Sequence, residues 1–173
     1  MAVPAQQIPF PPPLVTVHDM RPEEVDVLAA LVLASFEAFV ARDFDDFGHA
    51  AFEKFASADA LRTRQRHGYP TLVAEIHGKA RGIVQVRPPS HVVALYVSPH
   101  YQRRGIGRQL MRAAIERIRA AYPGAAFVTV ASSENALPFY RHLGFEPVYR
   151  GEREDRRYLG LRLPLHHAAD PDH

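Results

Sequence analysis

The chain contains no cysteine, which excludes a disulfide framework, a thiol nucleophile and a cysteine-ligated metal site. It has no apolar run of membrane-spanning length and no start of the signal-peptide kind, so we expect a cytoplasmic protein without a membrane partner. Lys54 and Lys79 are the only lysines, and arginine supplies the other basic groups. The 21 basic and 19 acidic residues nearly cancel, which argues against an arginine-rich nucleic-acid binder.

The remaining composition indicates one globular domain, because a chain of 173 residues that is 47% hydrophobic can bury a core of its own. The proline-rich residues 1–13 predict an extended or disordered N-terminal tail. Residues 165–173 predict a frayed C-terminal tail, in which His166 and His167 offer metal ligands but disorder is favoured, so we predict no metal site. The predicted domain spans residues 14–164.

Apolar patterns divide this domain into strands and helices. The predicted strands are residues 14–18, 71–76, 82–86, 91–97, 125–131, 145–151 and 156–163. Four helices are predicted. The first begins at Pro22 and the second runs through Phe52 and Phe55. The third begins at Ile106, and the fourth runs from Glu134 to Leu143. The last of these helices has Ser132 or Ser133 as its expected N-cap and Gly144 as its expected end.

The most informative segment is a strand, a turn and a helix. His91–Val97 is a continuous apolar run that Ser98-Pro99 ends. From Ile106, apolar residues recur at helical spacing, at Ile106, Leu110, Ala114, Ile118 and Ala121. The turn Gln102–Gly107 between them contains two glycines, and three arginines surround it: Arg103, Arg104 and Arg108.

This turn suits a pyrophosphate, because a helix start offers free amides and a partial positive charge, and glycines let an anion approach the backbone. The alternative is a solvated helix start in close contact with the strand. Two familiar phosphate motifs do not fit: no P-loop is present, and the dinucleotide pattern has Leu110 where its third glycine belongs. A nucleoside triphosphatase is therefore rejected and a nicotinamide enzyme disfavoured.

Two blocks resemble the GCN5-related N-acetyltransferase (GNAT) superfamily. Gln102-Arg103-Arg104-Gly105-Ile106-Gly107 is similar to the family signature Gln/Arg-x-x-Gly-x-Gly/Ala. The segment from Asn135 to Phe145 resembles the family's Asn-x-x-(Ala/Pro)-x-x-Phe-Tyr-x-x-x-Gly-Phe block. The resemblance covers about residues 14–164 and implies an α/β (α+β) fold. We expect a mixed central sheet of about six to seven strands flanked by about four helices.

The resemblance implies an enzyme that transfers an acetyl group from acetyl-CoA to a primary amine. It implies that the backbone of Leu95 and Val97 pairs with the pantetheine arm and that the Val97 amide polarises the thioester oxygen. The amides of the 102–107 turn, those of Gly105, Ile106 and Gly107 included, would bind the pyrophosphate. The implied charged partners of the phosphates are Arg103, Arg104 and Arg108.

Three residues of the second block have implied roles. Tyr140 would protonate the leaving thiolate, its alternative being a packed aromatic ring. Asn135 would bind pantetheine or only cap its helix, and Arg141 would reach the ribose phosphate or remain solvated.

The general base is less constrained. In members of the family that acetylate histone lysines, a glutamate stands eleven residues before the glutamine of the turn, and His91 has that place here. A histidine is a credible base at neutral pH. The alternatives are Glu75 on a neighbouring strand, an ordered water, or a His91 that only ends a loop.

The resemblance implies that residues 40–69 lie over the acceptor groove. Asp43, Asp45 and Asp46 offer attraction for a cationic amine, and phenylalanines offer pocket walls: Phe36, Phe39, Phe44 and Phe47. We favour a simpler interpretation of both groups, in which the aspartates cap a helix and the phenylalanines pack in the core. The alternative to an enzyme is a non-catalytic module that senses CoA. For the enzyme, the expected acceptor is a small molecule or peptide. The resemblance also makes a homodimer possible.

Overall fold

The computed structural model describes residues 14–153 and 156–165, apart from the side chains of Asp43 and of residues 152, 153, 156 and 157. The predicted N-terminal tail 1–13 lies outside the described residues, and so does the predicted C-terminal tail 165–173, with His166 and His167, except for Leu165. The strands are Thr16–Asp19 (β1), Thr71–Ile76 (β2), Lys79–Arg87 (β3), His91–Val97 (β4), Phe127–Ser132 (β5), Glu146–Arg153 (β6) and Arg156–Pro164 (β7). The helices are Val25–Phe39 (α1), Asp46–Ala56 (α2), Ala58–Arg66 (α3), Ile106–Ala121 (α4) and Leu137–His142 (α5).

One mixed sheet organises these elements, in the order β1-β2-β3-β4-β5-β7-β6. Its neighbours are antiparallel except for β4 and β5, which run parallel. Helices α4 and α5 pack on one face, and α1, α2 and α3 contribute to a separate core on the other. The predicted α/β fold with about six to seven strands is confirmed, with five helices in the described ranges instead of about four.

Helix α4 buries the predicted stripe against the sheet. Ile106, Leu110, Ala114 and Ile118 are at most 1% exposed, and Met111 is buried beside them. Ala121, in the last turn of the helix, is exposed instead. A Cβ on Gly82 of β3 would lie 2.9 Å from Leu110 Cδ1, so this glycine lets the helix approach the strand closely.

The segment between α1 and β2 is more regular than its sequence predicts, because α2 and α3 together span most of it. Asp45 is the N-cap of α2, where its carboxylate accepts a hydrogen bond of 2.8 Å from the Gly48 amide, as the cap reading of the aspartates predicts. Ser57 caps α3 by accepting from the Ala60 amide at 3.2 Å. The sequence signal for α3 is weak, because a helix with a single buried residue among nine, Leu61, shows little apolar periodicity.

The region before α5 corrects one prediction. A short 3-10 helix, Glu134–Ala136, precedes α5, and Ser133 is at its N-cap position without a side-chain hydrogen bond to the helix. The Ser132 hydroxyl donates to the Ser133 carbonyl at 2.8 Å instead of capping. Gly144 ends α5 as predicted, with a φ of +92° that favours glycine.

None of the helices in the described part of the chain has the length and apolar character that crossing a bilayer requires.

Candidate active site

A gap opens in the sheet where β4 and β5 diverge. The two strands pair only at His91 with Thr129 and at Val92 with Val130. Strand β4 continues to Val97 and β5 to Ser132 without further pairing between them. The β5-facing edge of the last part of β4 therefore has backbone groups available to an added extended chain.

A β-bulge turns the side chains of β4 at this gap. Gln85 of β3 pairs with Ala94 and Val86 pairs with Val92, so Val93 is the extra residue. As a result Val92, Leu95 and Val97 pack on the α4 side, whereas Tyr96 packs with the core on the other side. The predicted positions Leu95 and Val97 thus keep their side chains in the core and present their backbone to the gap.

The turn before α4 brings free amides together. No backbone amide from residue 102 to residue 108 donates to a backbone carbonyl within the described chain, and the helix begins pairing with the 3.1 Å bond from the Gln109 amide to the Gly105 carbonyl. Gly105 has a φ of +80° and Arg103 a φ of +60°, which curves the chain tightly at this point. Gln102 Nε2 donates to the Val97 carbonyl at 3.4 Å and ties the turn to the end of β4. The amides and the helix dipole make the turn a good anion site.

The side chains of the turn divide between solvent and core. Arg103, Arg104 and Arg108 are exposed, as a phosphate-binding role requires, while the Ile106 side chain is 1% exposed, so only its amide is available. A Cβ on Gly107 would lie 3.3 Å from the Phe139 ring. The second glycine therefore serves the packing of α4 against α5, a role that the sequence reasoning did not include.

Sequence reasoning missed one cation beside the turn. Arg81, the extra residue of a bulge in β3, lies over the Tyr101 ring at 4.3 Å, and Arg104 lies over the same ring at 5.2 Å. Arg81 Nε is buried without a hydrogen-bond partner among the described residues. No local pattern marks Arg81, since it is far from the turn in sequence.

Tyr140 is 6% exposed and lies in α5 between the rings of Phe139 and Phe145, with centroids at 5.1 Å and 5.3 Å. Burial, followed by the neighbouring Tyr96 phenol, raises the pKa of Tyr140 well above its ordinary value. Its phenol therefore holds its proton at neutral pH, which a proton donor to a thiolate needs. The packed ring also agrees with the structural alternative, so the catalytic role stays a prediction.

The other two residues of the second block are on the surface. Asn135 is exposed within the 3-10 helix, and Ala136, not Asn135, occupies the N-cap position of α5. Arg141 is exposed in the last turn of α5.

A cavity of about 340 Å³ lies at the point where β4 and β5 separate. Its walls come from α2, β3, β4, β5 and β7, and they include Phe52, Phe55, Tyr96, Ala131 and Tyr158. His91 lines it, and the Nδ1 atom of His91 is 2.8 Å from the Thr129 hydroxyl. Burial, followed by the charge of Arg87, lowers the pKa of His91, so its imidazole is neutral at pH 7. A neutral imidazole can accept a proton.

The alternative base, Glu75, lies elsewhere. Its carboxylate is 3.3 Å from His18 Nε2 and 3.7 Å from Arg21, in a group that also includes Glu24. The His18 Nε2 atom is buried and makes no hydrogen bond of good geometry. Arg21 lies 3.7 Å from an oxygen of each glutamate and balances part of their negative charge.

The acidic and aromatic residues of the 40–69 region mostly do not reach the cavity. Asp45 caps α2 and Asp46 is exposed, while the Asp43 side chain lies outside the described residues. Phe36 is fully buried in the core, as predicted. Phe39 and Phe47 are 41% and 68% exposed, so the prediction of core packing is wrong for these two side chains. Of the four phenylalanines, Phe44 lines the cavity.

Comparisons with known proteins agree with this geometry. The sequence matches the family described as "Acetyltransferase (GNAT) domain" over residues 37–160. A sequence search of the curated proteins finds no match. The fold is similar to a crystal structure described as a GCN5-related N-acetyltransferase from Rhodopseudomonas palustris, at 27% identity, with 90% of this chain and 97% of that chain covered and a TM-score of 0.78.

Two further solved structures contain the cofactor. The PaiA N-acetyltransferase of Thermoplasma acidophilum, in complex with coenzyme A, is 15% identical over 87% of this chain and 99% of its own, with a TM-score of 0.73. The putative acetyltransferase YncA of Salmonella typhimurium, with acetyl-CoA, is 22% identical over 91% of this chain and 98% of its own, with a TM-score of 0.65.

Proposed function

The chain belongs to the GNAT acetyltransferase domain family, and on this premise we propose that it is an acetyl-CoA-dependent N-acetyltransferase that acts on a primary amine. The observation that carries the proposal is the continuity of two features: the unpaired edge of β4 leads directly to the free amides of the 102–108 turn. An extended thiol arm and a diphosphate are the two parts of acetyl-CoA that these features suit.

In the proposed reaction the neutral amine attacks the thioester carbon, so that a C–N bond forms as the C–S bond breaks. The proton lost by nitrogen passes to His91, directly or through a water. Tyr140 donates its proton to the departing sulfur and regains one from solvent. The Val97 amide donates to the oxygen on which negative charge develops, a contribution of about 3 kcal/mol where such a donor is well placed.

The test of this proposal is a calorimetric titration with acetyl-CoA, followed by detection of free thiol against a panel of amines. We expect saturable binding and amine-dependent thiol release. Absence of saturable acetyl-CoA binding would contradict the proposal, and binding without thiol release would favour a CoA sensor.

The pH dependence of kcat tests His91 as the base. Below its pKa the imidazole is protonated and cannot accept the proton of the amine, and burial and Arg87 both hold that pKa under the ordinary 6.5. We therefore expect the acidic limb of kcat to have its midpoint below pH 6.5. His91→Gln should lower kcat about 100-fold and remove this limb.

His67→Gln is the matched control, because His67 is an exposed histidine at the C-terminus of α3. An unchanged kcat and pH profile in His91→Gln would remove His91 as the base and favour an ordered water.

The remaining sequence-based expectations stay predictions. They are the tails at residues 1–13 and 165–173, the domain limits 14–164, the cytoplasmic location and the homodimer. Leu165 itself is 8% exposed, and its amide donates to the Ala126 carbonyl at 2.9 Å, which extends the packed part of the chain by one residue.

A further inference from the structure

The walls of the cavity beside His91 are strongly aromatic. Five aromatic side chains line it: Phe44, Phe52, Phe55, Tyr96 and Tyr158. The stacked pair Phe36 and Phe52, with ring centroids 3.8 Å apart, supports this wall from the core. A volume of about 340 Å³ fits a small molecule or one amino-acid side chain with its backbone, and not a folded surface.

The charge of the cavity is positive. His91 and Arg87 are its titratable lining residues besides the two tyrosines, and no carboxylate lines it in the part of the chain whose side chains the structure describes. Arg87 makes no ion pair within 4.0 Å with any described carboxylate, whereas Arg62 and Arg117 each pair with an aspartate. Arg87 is thus an exposed cation that has no counter-ion among the described carboxylates, at the edge of a mainly apolar cavity.

The position of Arg87 relates it to the reacting group. Arg87 and His91 are directly opposite each other across β3 and β4. If the amine of a ligand lies at His91, a second group of the ligand, only a few atoms from that amine, is therefore within reach of Arg87. An anionic group there would pair with the guanidinium, and a second cation would be repelled by it.

We propose, on the basis of the N-acetyltransferase function above, that the acceptor is an aromatic amine with a carboxylate close to its amino group, an aromatic α-amino acid being the simplest case. The ring occupies the aromatic walls, the carboxylate pairs with Arg87 and the amine faces His91. The lack of a carboxylate among the described lining residues also disfavours a bound ammonium, so the amine is held in its nucleophilic neutral form.

A matched series of acceptors tests this class: L-phenylalanine, L-phenylalaninamide, phenethylamine and spermidine, compared by kcat/KM for thiol release. We expect L-phenylalanine to exceed both the amide and phenethylamine by about 10-fold, mainly through KM, and spermidine to be the poorest. The amine of L-phenylalaninamide is less basic and more often neutral, so in the comparison of acid with amide the bias from basicity acts against the expected order.

Arg87→Gln should reduce the preference for the acid over the amide about 10-fold. Arg112→Gln, which removes an exposed charge from α4, is the matched control and should keep the preference.

If the acceptors react without preference for the carboxylate, or spermidine reacts best, the inference is overturned and the enzymatic proposal stands. If none releases thiol although other amines do, the aromatic class is likewise wrong. If acetyl-CoA itself does not bind, the enzymatic proposal fails first. Should Arg87→Gln not fold, the acceptor series on the unmodified protein still decides.

Discussion

The Tyr140→Phe protein is expected to bind acetyl-CoA with nearly the affinity of the unmodified protein but to release CoA about 100-fold more slowly. The substitution removes one hydroxyl from a ring held between Phe139 and Phe145, so the packing remains. Without the phenol, sulfur must leave as a thiolate, and a positioned proton donor contributes about 100- to 10,000-fold. Stopped-flow detection of free thiol with calorimetry for binding separates the two effects.

Tyr122→Phe is the control, because Tyr122 is the C-cap of α4 and lies outside the second block in sequence. A wild-type rate in Tyr140→Phe would contradict the assignment. The next residue to test is then Tyr96, which lines the cavity and whose phenol raises the pKa of Tyr140. A CoA sensor would show intact binding and no thiol release before any substitution.

Replacing Gly105 with aspartate is expected to weaken acetyl-CoA binding by on the order of 100-fold with little loss of stability. Gly105 has a φ of +80° and nothing within 4 Å of a Cβ built there, and asparagine and aspartate tolerate that region better than other side chains. A carboxylate about 5 Å from a phosphate, at an effective dielectric constant of about 20, is repelled by about 3 kcal/mol.

Two companion variants isolate the charge. Gly105→Asn has the same shape without the charge, so its affinity should lie much closer to that of the unmodified protein. Gly78→Asp puts the same charge on a glycine with a φ of +72° and equally open space, in the turn between β2 and β3. Equal effects of the three substitutions would show that the 102–108 turn is not the phosphate site.

Much of the scaffold of the site could be predicted from local sequence. The continuous apolar run predicted β4 as His91–Val97, and the change to helical spacing predicted the start of α4 at Ile106. Both elements are specified by periodicity and by the proline that follows the strand, which are local signals. The turn between them is correspondingly well defined in the sequence.

The cavity could not be predicted in the same way. Its walls join Phe52 and Phe55 of α2 to Tyr96 of β4 and Tyr158 of β7, which are distant in sequence. The side of the sheet on which Tyr96 lies depends on the bulge at Val93, and a one-residue bulge reverses the facing of every later side chain. An apolar run that is buried on both faces carries no mark of such a bulge.

The different roles of the two glycines in the turn could not be predicted from the motif either. Gly105 is required by its backbone conformation, whereas Gly107 makes room for the Phe139 ring of a helix that follows 30 residues later. A motif gives both glycines the same letter, and only the tertiary contact distinguishes them.

The binding of a diphosphate by the main chain is tested most directly by amide NMR during a titration with CoA. We expect large, saturable shifts in the amide signals of residues 102–108 and of residues 94–97 at the unpaired edge of β4, with small shifts in the turn at Gly78. Saturable binding that leaves the amides of residues 102–108 unmoved would contradict it.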